Sequence, residues 1–441
     1  MPFALISGIA FLAVLFFANP AHAAATGPEA EFGPILLGLA IFVLGAKLGG
    51  ILMARLGQAA VLGELLFGIA LANLSPLFAG SAGIEFVRSN TILKFLSEVG
   101  VLLLLFDVGL EVDLRALARV GASAVLVALI GVVVPFFLGW GTAVWFLPNA
   151  PTLVHIFIGA TLTATSVGIT VRVLKDLNVT TTPEAQTILG AAILDDILGL
   201  IVLAVVVGSI TGAADGGGGV SIATVSIIVL KAAAFFVATF VAGHMLSHRI
   251  VSLAARSGHQ GMLFVIGIAL CFALSYLAEL IGLANIIGAF AAGVLLDPYG
   301  TDIRTKADDV TLRELLVPLS ELLVPLFFVL MGLQVDLSSL LEPSAMALGT
   351  TLIIAAIIGK LVCGLGVVGR GIHRLAVGIG MIPRGEVGLI FAGIGTRVML
   401  EGEPILNQNV YSSVVLMALI TTLITPLGLR RVFRSAQREV H

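Results

Sequence analysis

Residues 109–117 read GLEVDLRAL, and residues 332–340 read GLQVDLSSL. Six of the nine positions are identical at an offset of 223. Two further pairs fall in the same order at nearly the same spacing. Gly63-x4-Gly68 returns as Gly288-x4-Gly293, 225 residues on, and Val167-Gly168-Ile169 returns as Val387-Gly388-Leu389, 220 residues on. Each match alone is weak. Three in order at one offset point to a diverged internal duplication, and its handedness depends on how often the chain crosses a membrane between the copies.

That the chain crosses a membrane follows from its composition. Of 441 residues, 59% are hydrophobic and only 11% are charged, where a soluble domain carries roughly a quarter charged residues. Apolar stretches of about twenty residues recur along the whole length, the pattern of a polytopic helical membrane protein rather than of a barrel with short alternating strands. Thirteen spans are expected, near 33–54, 58–76, 91–110, 118–147, 152–174, 184–208, 222–246, 261–280, 283–297, 313–333, 344–369, 375–398 and 407–429. Before them, residues 1–23 have an apolar stretch and an Ala21-His22-Ala23 site that resemble a cleaved secretory leader, without a basic start. Cys271 and Cys363 both lie in apolar spans and are expected to be packing residues rather than a disulfide or a metal site.

Lysine and arginine collect on the cytoplasmic side of membranes. If the first span starts outside, sixteen basic residues fall on one side, and only Arg88, Lys94 and Arg397 fall on the other. The carboxyl terminus is therefore expected to be cytoplasmic. The glycine-rich run 213–219 falls on an outside loop and reads as a flexible turn, because no phosphate-loop lysine follows it. The duplication pairs span two with nine, three with ten, and five with twelve. Partners seven spans apart cross in opposite directions. Inverted repeats of this kind mark secondary transporters, whose substrate sites lie near mid-membrane where helices are interrupted.

Two paired spans carry such interruptions. Residues 161–170, TLTATSVGIT, are small, hydroxylated and glycine-bearing at mid-span, and 380–390, GMIPRGEVGLI, contain Pro383, Gly385 and Gly388. Unwound backbone is tolerated in a membrane only inside protein or beside water, where its carbonyls and helix-end dipoles suit an ion site. Hydroxyls bonding back to their own helix are the plainer reading of the first stretch.

Charge at the centre of a span demands a reason, since a central acid costs about 2.5–3.5 kcal/mol on insertion scales. Asp195 and Asp196 stand side by side in ILGAAILDDILGLIVLA, 188–204, about 100° apart around a helix. Lys360 is the only basic residue near the centre of span eleven. The simplest arrangement pairs Lys360 with one aspartate and leaves the other for a substrate. A desolvated carboxylate can exchange a proton for a cation near neutral pH, and oxygen ligands suit a hard monovalent cation. Arg384 and Glu386 are expected to be structural, bonding loose backbone or neighbouring charges. Glu64, Glu98, Asp107, Glu111 and Glu279 are expected at a vestibule or snorkelling to the interface. His155, His244, His248 and His259 are expected to be solvated at span ends.

TLTATSVGITVRVL, GAAILDDILGLIVL, the lysine of IIGKLVCG and MIPRGEVGLI together resemble the NapA-like sodium/proton antiporters of the monovalent cation:proton antiporter superfamily, over roughly residues 33–430. The resemblance implies an all-α polytopic fold of about thirteen transmembrane helices, with inverted-topology repeats and two crossing discontinuous helices. It implies an ion-transporting core of 118–208 and 344–429 and a scaffold of 33–110 and 261–333 that forms a homodimer. A linker helix at 222–246 and a cytoplasmic tail at 430–441 complete the plan. By the same resemblance Asp196 is the sodium-binding and proton-carrying carboxylate, Asp195 is the partner of Lys360, and Thr165 and Ser166 lie beside the site. Pro383, Arg384, Gly385 and Glu386 shape the second break. The implied function is exchange of Na+ or Li+ for H+ by alternating access in a bacterial inner membrane. A double acid implies electrogenic exchange, with no cofactor, nucleic acid or nucleotide domain. Potassium/proton exchange and sodium-coupled symport of an organic anion are the alternatives. An aspartyl protease is disfavoured, because its two acids must come from separate helices.

Overall fold

The computed structural model describes residues 28–79, 87, 90–112, 121–177, 179–180, 182–214, 222–256, 261–296, 311–340, 342–368 and 372–439. The leader at 1–23, His259 and most of the 213–219 glycine run lie outside them. The elements are α1 (Pro28–Arg55), α2 (Ala60–Ala79), α3 (Thr91–Leu110), α4 (Ala122–Phe146), α5 (Thr152–Thr161), α6 (Val167–Asp176), α7 (Pro183–Ala214), α8 (Ile222–Arg256), α9 (Met262–Leu280), α10 (Asn285–Leu296) and α11 (Leu312–Leu333). They continue with the one-turn α12 (Leu337–Leu340), α13 (Pro343–Cys363), α14 (Arg374–Gly380), α15 (Glu386–Gly395) and α16 (Gln408–Glu439).

Eight helices among the described residues are long and apolar enough to cross a membrane: α1, α4, α7, α8, α9, α11, α13 and α16. The other five expected spans have physical reasons to fall short of that measure. Spans five and twelve are split into short halves, α5 with α6 and α14 with α15. Span nine carries only the shorter apolar helix Asn285–Leu296, and span two is the 20-residue α2, apolar over Ala60–Leu74. Span three, α3, bears Lys94, Glu98 and Asp107 along its twenty residues.

One addition to an all-helical plan sits between α15 and α16. There β1 (Met399–Leu400) and β2 (Glu403–Pro404) pair antiparallel. Glu401 (φ 54°) and Gly402 (φ 89°) both take the left-handed turn that a two-residue hairpin requires.

The backbone divides into two compact units, residues 1–104 with 317–341, and 105–316 with 342–441. In the first, a core of Ile35, Phe42, Leu71, Leu93, Leu326 and Leu333 joins α1, α2, α3 and α11. Here Gly68 of α2 lies against Gly332 of α11. A Cβ on Gly68 would collide with the Val329 carbonyl, and one on Gly332 with the Leu65 carbonyl. In the second unit, Gly109 of α3 lies against Gly293 of α10 in the same manner. A Cβ on Gly109 would strike the Phe290 carbonyl, and one on Gly293 the Phe106 carbonyl. Adding the repeat offset to Gly68 gives Gly293, and adding it to Gly109 gives Gly332. One glycine crossing is thus the other with the two halves of the chain exchanged, which is what an inverted duplication produces.

Candidate ion site

The site is built in the second unit from α4, α5, α7, α13, α14 and α16. A core of Ala124, Val127, Ala128, Ala191, Ala192, Cys363, Val377 and Met381 locks four of these helices together. Small residues set the spacing. A Cβ on Gly359 of α13 would lie 3.0 Å from the Pro135 Cα of α4.

Helix α5 stops at Thr161, and the chain resumes as α6 at Val167. Helix α14 stops at Gly380, and the chain resumes as α15 at Glu386. The two gaps cross and satisfy each other's backbone. The Ser166 amide donates to the Pro383 carbonyl at 2.8 Å. The Thr165 hydroxyl donates to the Met381 carbonyl at 3.2 Å, and the Thr170 hydroxyl to the Gly380 carbonyl at 2.6 Å. In the opposite direction, Arg384 Nη1 donates to the Thr163 carbonyl at 3.0 Å and also to the Ala164 carbonyl. The Thr422 hydroxyl of α16 closes the arrangement by donating to the Arg384 carbonyl at 3.1 Å. Free carbonyls cost several kcal/mol each in a hydrocarbon setting, so these bonds hold both helices open. Gly385 is needed for the approach, because a Cβ there would stand 2.5 Å from Ser166 Oγ. Two helix C-ends and two helix N-ends, with opposite partial charges, meet in one place. The hydroxyls of Thr161 and Thr163, by contrast, bond back to their own helix, to Ile158 and Ala160.

The acids lie inside the protein. Asp195 is 0% exposed and Asp196 9%. Lys360, fully buried, donates from Nζ to Asp195 Oδ1 at 2.8 Å. The lysine stands in the last turn of α13, which ends at Cys363, rather than at the centre of its span. Its thiol neighbour Cys363 donates to the Lys360 carbonyl. The floor of the pair is Gly131 of α4, whose Cβ, if present, would be 3.3 Å from Lys360 Nζ and 3.7 Å from Asp195 Oδ1. The break is adjacent: Gly199, one turn beyond the acids on α7, would carry its Cβ 3.8 Å from that of Ala164. Arg384, also fully buried, lies within Coulombic reach of Asp195 and Lys360.

The structure therefore brings Asp195, Lys360, Thr165, Ser166, Pro383, Arg384 and Gly385 into one neighbourhood. Asp196 is adjacent on α7, and Glu386 is the first residue of α15. Three participants have no expectation attached in the sequence. Thr170 closes the TLTATSVGIT stretch that was noted only as a whole. Gly131 and Thr422 carry no local signal, being one of 51 glycines and one of several hydroxyls on α16.

Other charges fall elsewhere. His155 is not solvated. It is 6% exposed, and its Nε2 hydrogen-bonds to the Leu147 carbonyl at 2.7 Å, the carbonyl accepting, because α5 packs along α4 and buries the span end. Asp107 and Glu111 form ion pairs with Arg313. Lys47 pairs with Glu321 at 3.0 Å, with Glu64 close by. Both cysteines are buried thiols that form no disulfide among the described residues.

Comparison with known proteins decides the family. The model of the transmembrane sodium/hydrogen exchanger family matches residues 40–435. The chain belongs to the sodium/hydrogen exchanger family. It is a monovalent cation:proton antiporter by that membership, and a multi-pass membrane protein. The chain is 37% identical to the high-affinity Na+/H+ antiporter NhaS3 of Synechocystis, over 95% of each chain. It is 35% identical to a Na+/H+ antiporter of Enterococcus hirae, covering 89% of this chain and 96% of that one. It is 32% identical to the Na+/H+-K+ antiporter GerN of Bacillus cereus, covering 91% and 97%. Among solved structures, the sodium proton antiporter MjNhaP1 of Methanocaldococcus jannaschii at pH 8 superposes with a TM-score of 0.65 at 16% identity, over 89% of this chain and 95% of that one. At that identity the likeness speaks to the fold: a helical antiporter fold with inverted repeats and crossing discontinuous helices.

Proposed function

We propose that this antiporter exchanges Na+, or Li+, for H+, with Asp196 as the carboxylate for which cation and proton compete. The observation that carries the reading is the buried 2.8 Å bond between Lys360 and Asp195. It commits Asp195 to an internal counter-ion, and Asp196, its neighbour on α7, stands on the same helix turn beside a crossing rich in carbonyls and hydroxyls. Thr165 and Ser166, with carbonyls of the two breaks, are the further oxygen donors on offer to a hard cation. A cation at Asp196 replaces the proton, and a proton replaces the cation, so occupancy by one expels the other.

Exchange then needs the site to face each side in turn. The proposed moving part is the core of 118–208 and 344–429, working against a scaffold of 33–110 and 261–333 that pairs with a second copy, with 222–246 as the link. Electrogenic exchange, of more than one proton per cation, is the stoichiometry that a double acid with a lysine supports. The bacterial relatives support placement in the inner membrane. The charge asymmetry of the loops supports a cytoplasmic carboxyl terminus.

The Na+/H+-K+ name of the GerN relative keeps potassium as a second substrate reading. Everted vesicles separate the two. An imposed pH gradient should dissipate on adding sodium or lithium, and should stay intact in the Asp196→Asn protein. Dissipation by potassium alone would move the substrate to potassium with the same mechanism. No dissipation by any of the three, in protein shown to be inserted, would overturn the exchange reading for this chain.

A further inference from the structure

A cavity of about 510 Å³, lined by none of the ion-site residues, opens on the apolar surface where α8 passes the end of α9, lined by Lys231, Ala234, Phe235, Leu280, Ile281 and Gly282. Its position in the bilayer follows from the sequence. Lys231 is nine residues into α8, which begins at Ile222, and its side chain reaches Ile281 at the C-terminal end of α9, where the apolar run Met262–Leu280 closes. Its neighbours Ile227, Leu230 and Val237 are 54%, 69% and 60% exposed, and Leu280 across the cavity is 62% exposed. A helix face of that composition, on a membrane-spanning helix, contacts lipid.

An ammonium at this depth must reach to the headgroups or find an anion. Lys231 Nζ donates to the Ile281 carbonyl at 3.2 Å, one of the carbonyls that a helix leaves unpaired at its C-terminus. That uses one of three N–H donors. Among the described residues no carboxylate forms an ion pair with Lys231. The cation thus stands at the rim of an apolar cavity whose walls, Phe235 and Leu280, can take hydrocarbon but not charge. The hollow is shallow and mostly open, a partly walled seat for a headgroup and the upper part of one chain rather than an enclosed pocket.

We propose that this cavity binds a phospholipid with a net negative headgroup, its phosphate on Lys231 and one acyl chain along Phe235 and Leu280. A net anion is selected because a zwitterionic headgroup carries its own cation to neutralise the phosphate. The site is independent of the ion-exchange reading, and its test does not use transport.

The test is thermal unfolding of the purified full-length protein in mild detergent, with native mass spectrometry to count retained lipid. Phosphatidylglycerol, phosphatidylcholine and inorganic phosphate are added separately to wild type, Lys231→Gln and Lys231→Arg. Phosphatidylglycerol should raise the wild-type unfolding temperature by several degrees and leave one tightly held molecule. Phosphatidylcholine should do less and inorganic phosphate nothing. Lys231→Gln should lose the extra shift, and Lys231→Arg should keep it. Ala234→Leu, which fills the cavity and leaves the charge, should also lose it, so a poorly folding lysine variant does not remove the test. Equal shifts in wild type and both disruptive variants would overturn the site. A full shift from inorganic phosphate alone would replace lipid by a free anion. Shielding of Lys231 from an amine reagent only at concentrations where lipid-free protein dimerises would make the face a contact with a second copy, and the lipid proposal would fall.

Discussion

Backbones come into close contact in two kinds of place in this molecule, and the two are built differently. At Gly68–Gly332 and at Gly109–Gly293, helices touch because neither has a side chain at the crossing. Nothing polar is left over, and the contact is held by dispersion and shape. At the crossing of the 162–166 and 381–385 breaks, helices touch because their own hydrogen bonds have been given up and replaced by bonds to each other. The first arrangement is closed to ions. The second gathers carbonyls, hydroxyls and four helix ends beside two carboxylates. Both arise from the same duplication. One pair of repeats makes glycine crossings and the other crosses through broken helices, so the two pairs present different chemistry.

The largest effect is expected where the glycine crossings are breached. Gly332→Leu puts a branched side chain against the Leu65 carbonyl and the Gly68 backbone, where no flexible side chain can give way. One extra methylene in a packed core already costs about 1–3 kcal/mol, and here a whole leucine side chain meets only backbone, so the two helices must separate. The expected outcome is loss of monodisperse protein after detergent extraction, seen by size-exclusion chromatography. A well-folded Gly332→Leu protein would show that the crossing is not the rigid element described.

Next is the ion pair. Removing one partner of a buried pair costs about 3–5 kcal/mol because the other charge is left uncompensated. Lys360→Ala should therefore lower the unfolding temperature substantially, whereas Lys360→Gln with Asp195→Asn, which removes both charges, should restore most of it. No recovery in the double variant would mean that the two residues do not act as a pair.

Gly131→Ala sharpens the same region more gently. Its Cβ would stand 3.3 Å from the Lys360 ammonium, so the pair must shift by a few tenths of an ångström. Sodium-driven exchange should fall severalfold with the protein still folded, while Gly141→Ala on the same helix, which meets nothing within 4 Å, should be neutral. Equal behaviour of the two would remove Gly131 from the site.

The smallest effect belongs to Thr422→Val. It deletes one neutral hydrogen bond to the Arg384 carbonyl, worth about 1 kcal/mol. A small drop in unfolding temperature with exchange largely retained is the expected result. Complete loss of exchange would give Thr422 a part in ion binding beyond holding the break.

Much of this was open to a reader of the sequence because charge and proline are rare inside apolar spans. Asp195, Asp196 and Lys360 stand out for that reason, and their partnership follows from charge balance before any coordinates. Pro383 and Gly385 mark the second break, and the repeat then points to the first. What could not be read depends on tertiary approach. Gly131 looks like any helix glycine until α13 brings Lys360 over it. Thr422 sits among Thr421 and Thr425, whose hydroxyls bond back to their own helix, and only the approach of the break distinguishes it. The burial of His155 has a related cause: a position near a span end says nothing of the neighbour that covers it. The pairing of Asp107 and Glu111 with Arg313, some two hundred residues away, is likewise set by tertiary approach.

The central claim is a division of labour between adjacent aspartates, and proteoliposomes test it directly. Sodium-driven proton exchange should be measured side by side for wild type, Asp196→Asn, and the double variant Asp195→Asn with Lys360→Gln. The account predicts no exchange in Asp196→Asn. In the double variant it predicts exchange that persists but no longer responds to membrane potential. Exchange surviving in Asp196→Asn, with the double variant dead although folded, would reverse the roles and contradict the account.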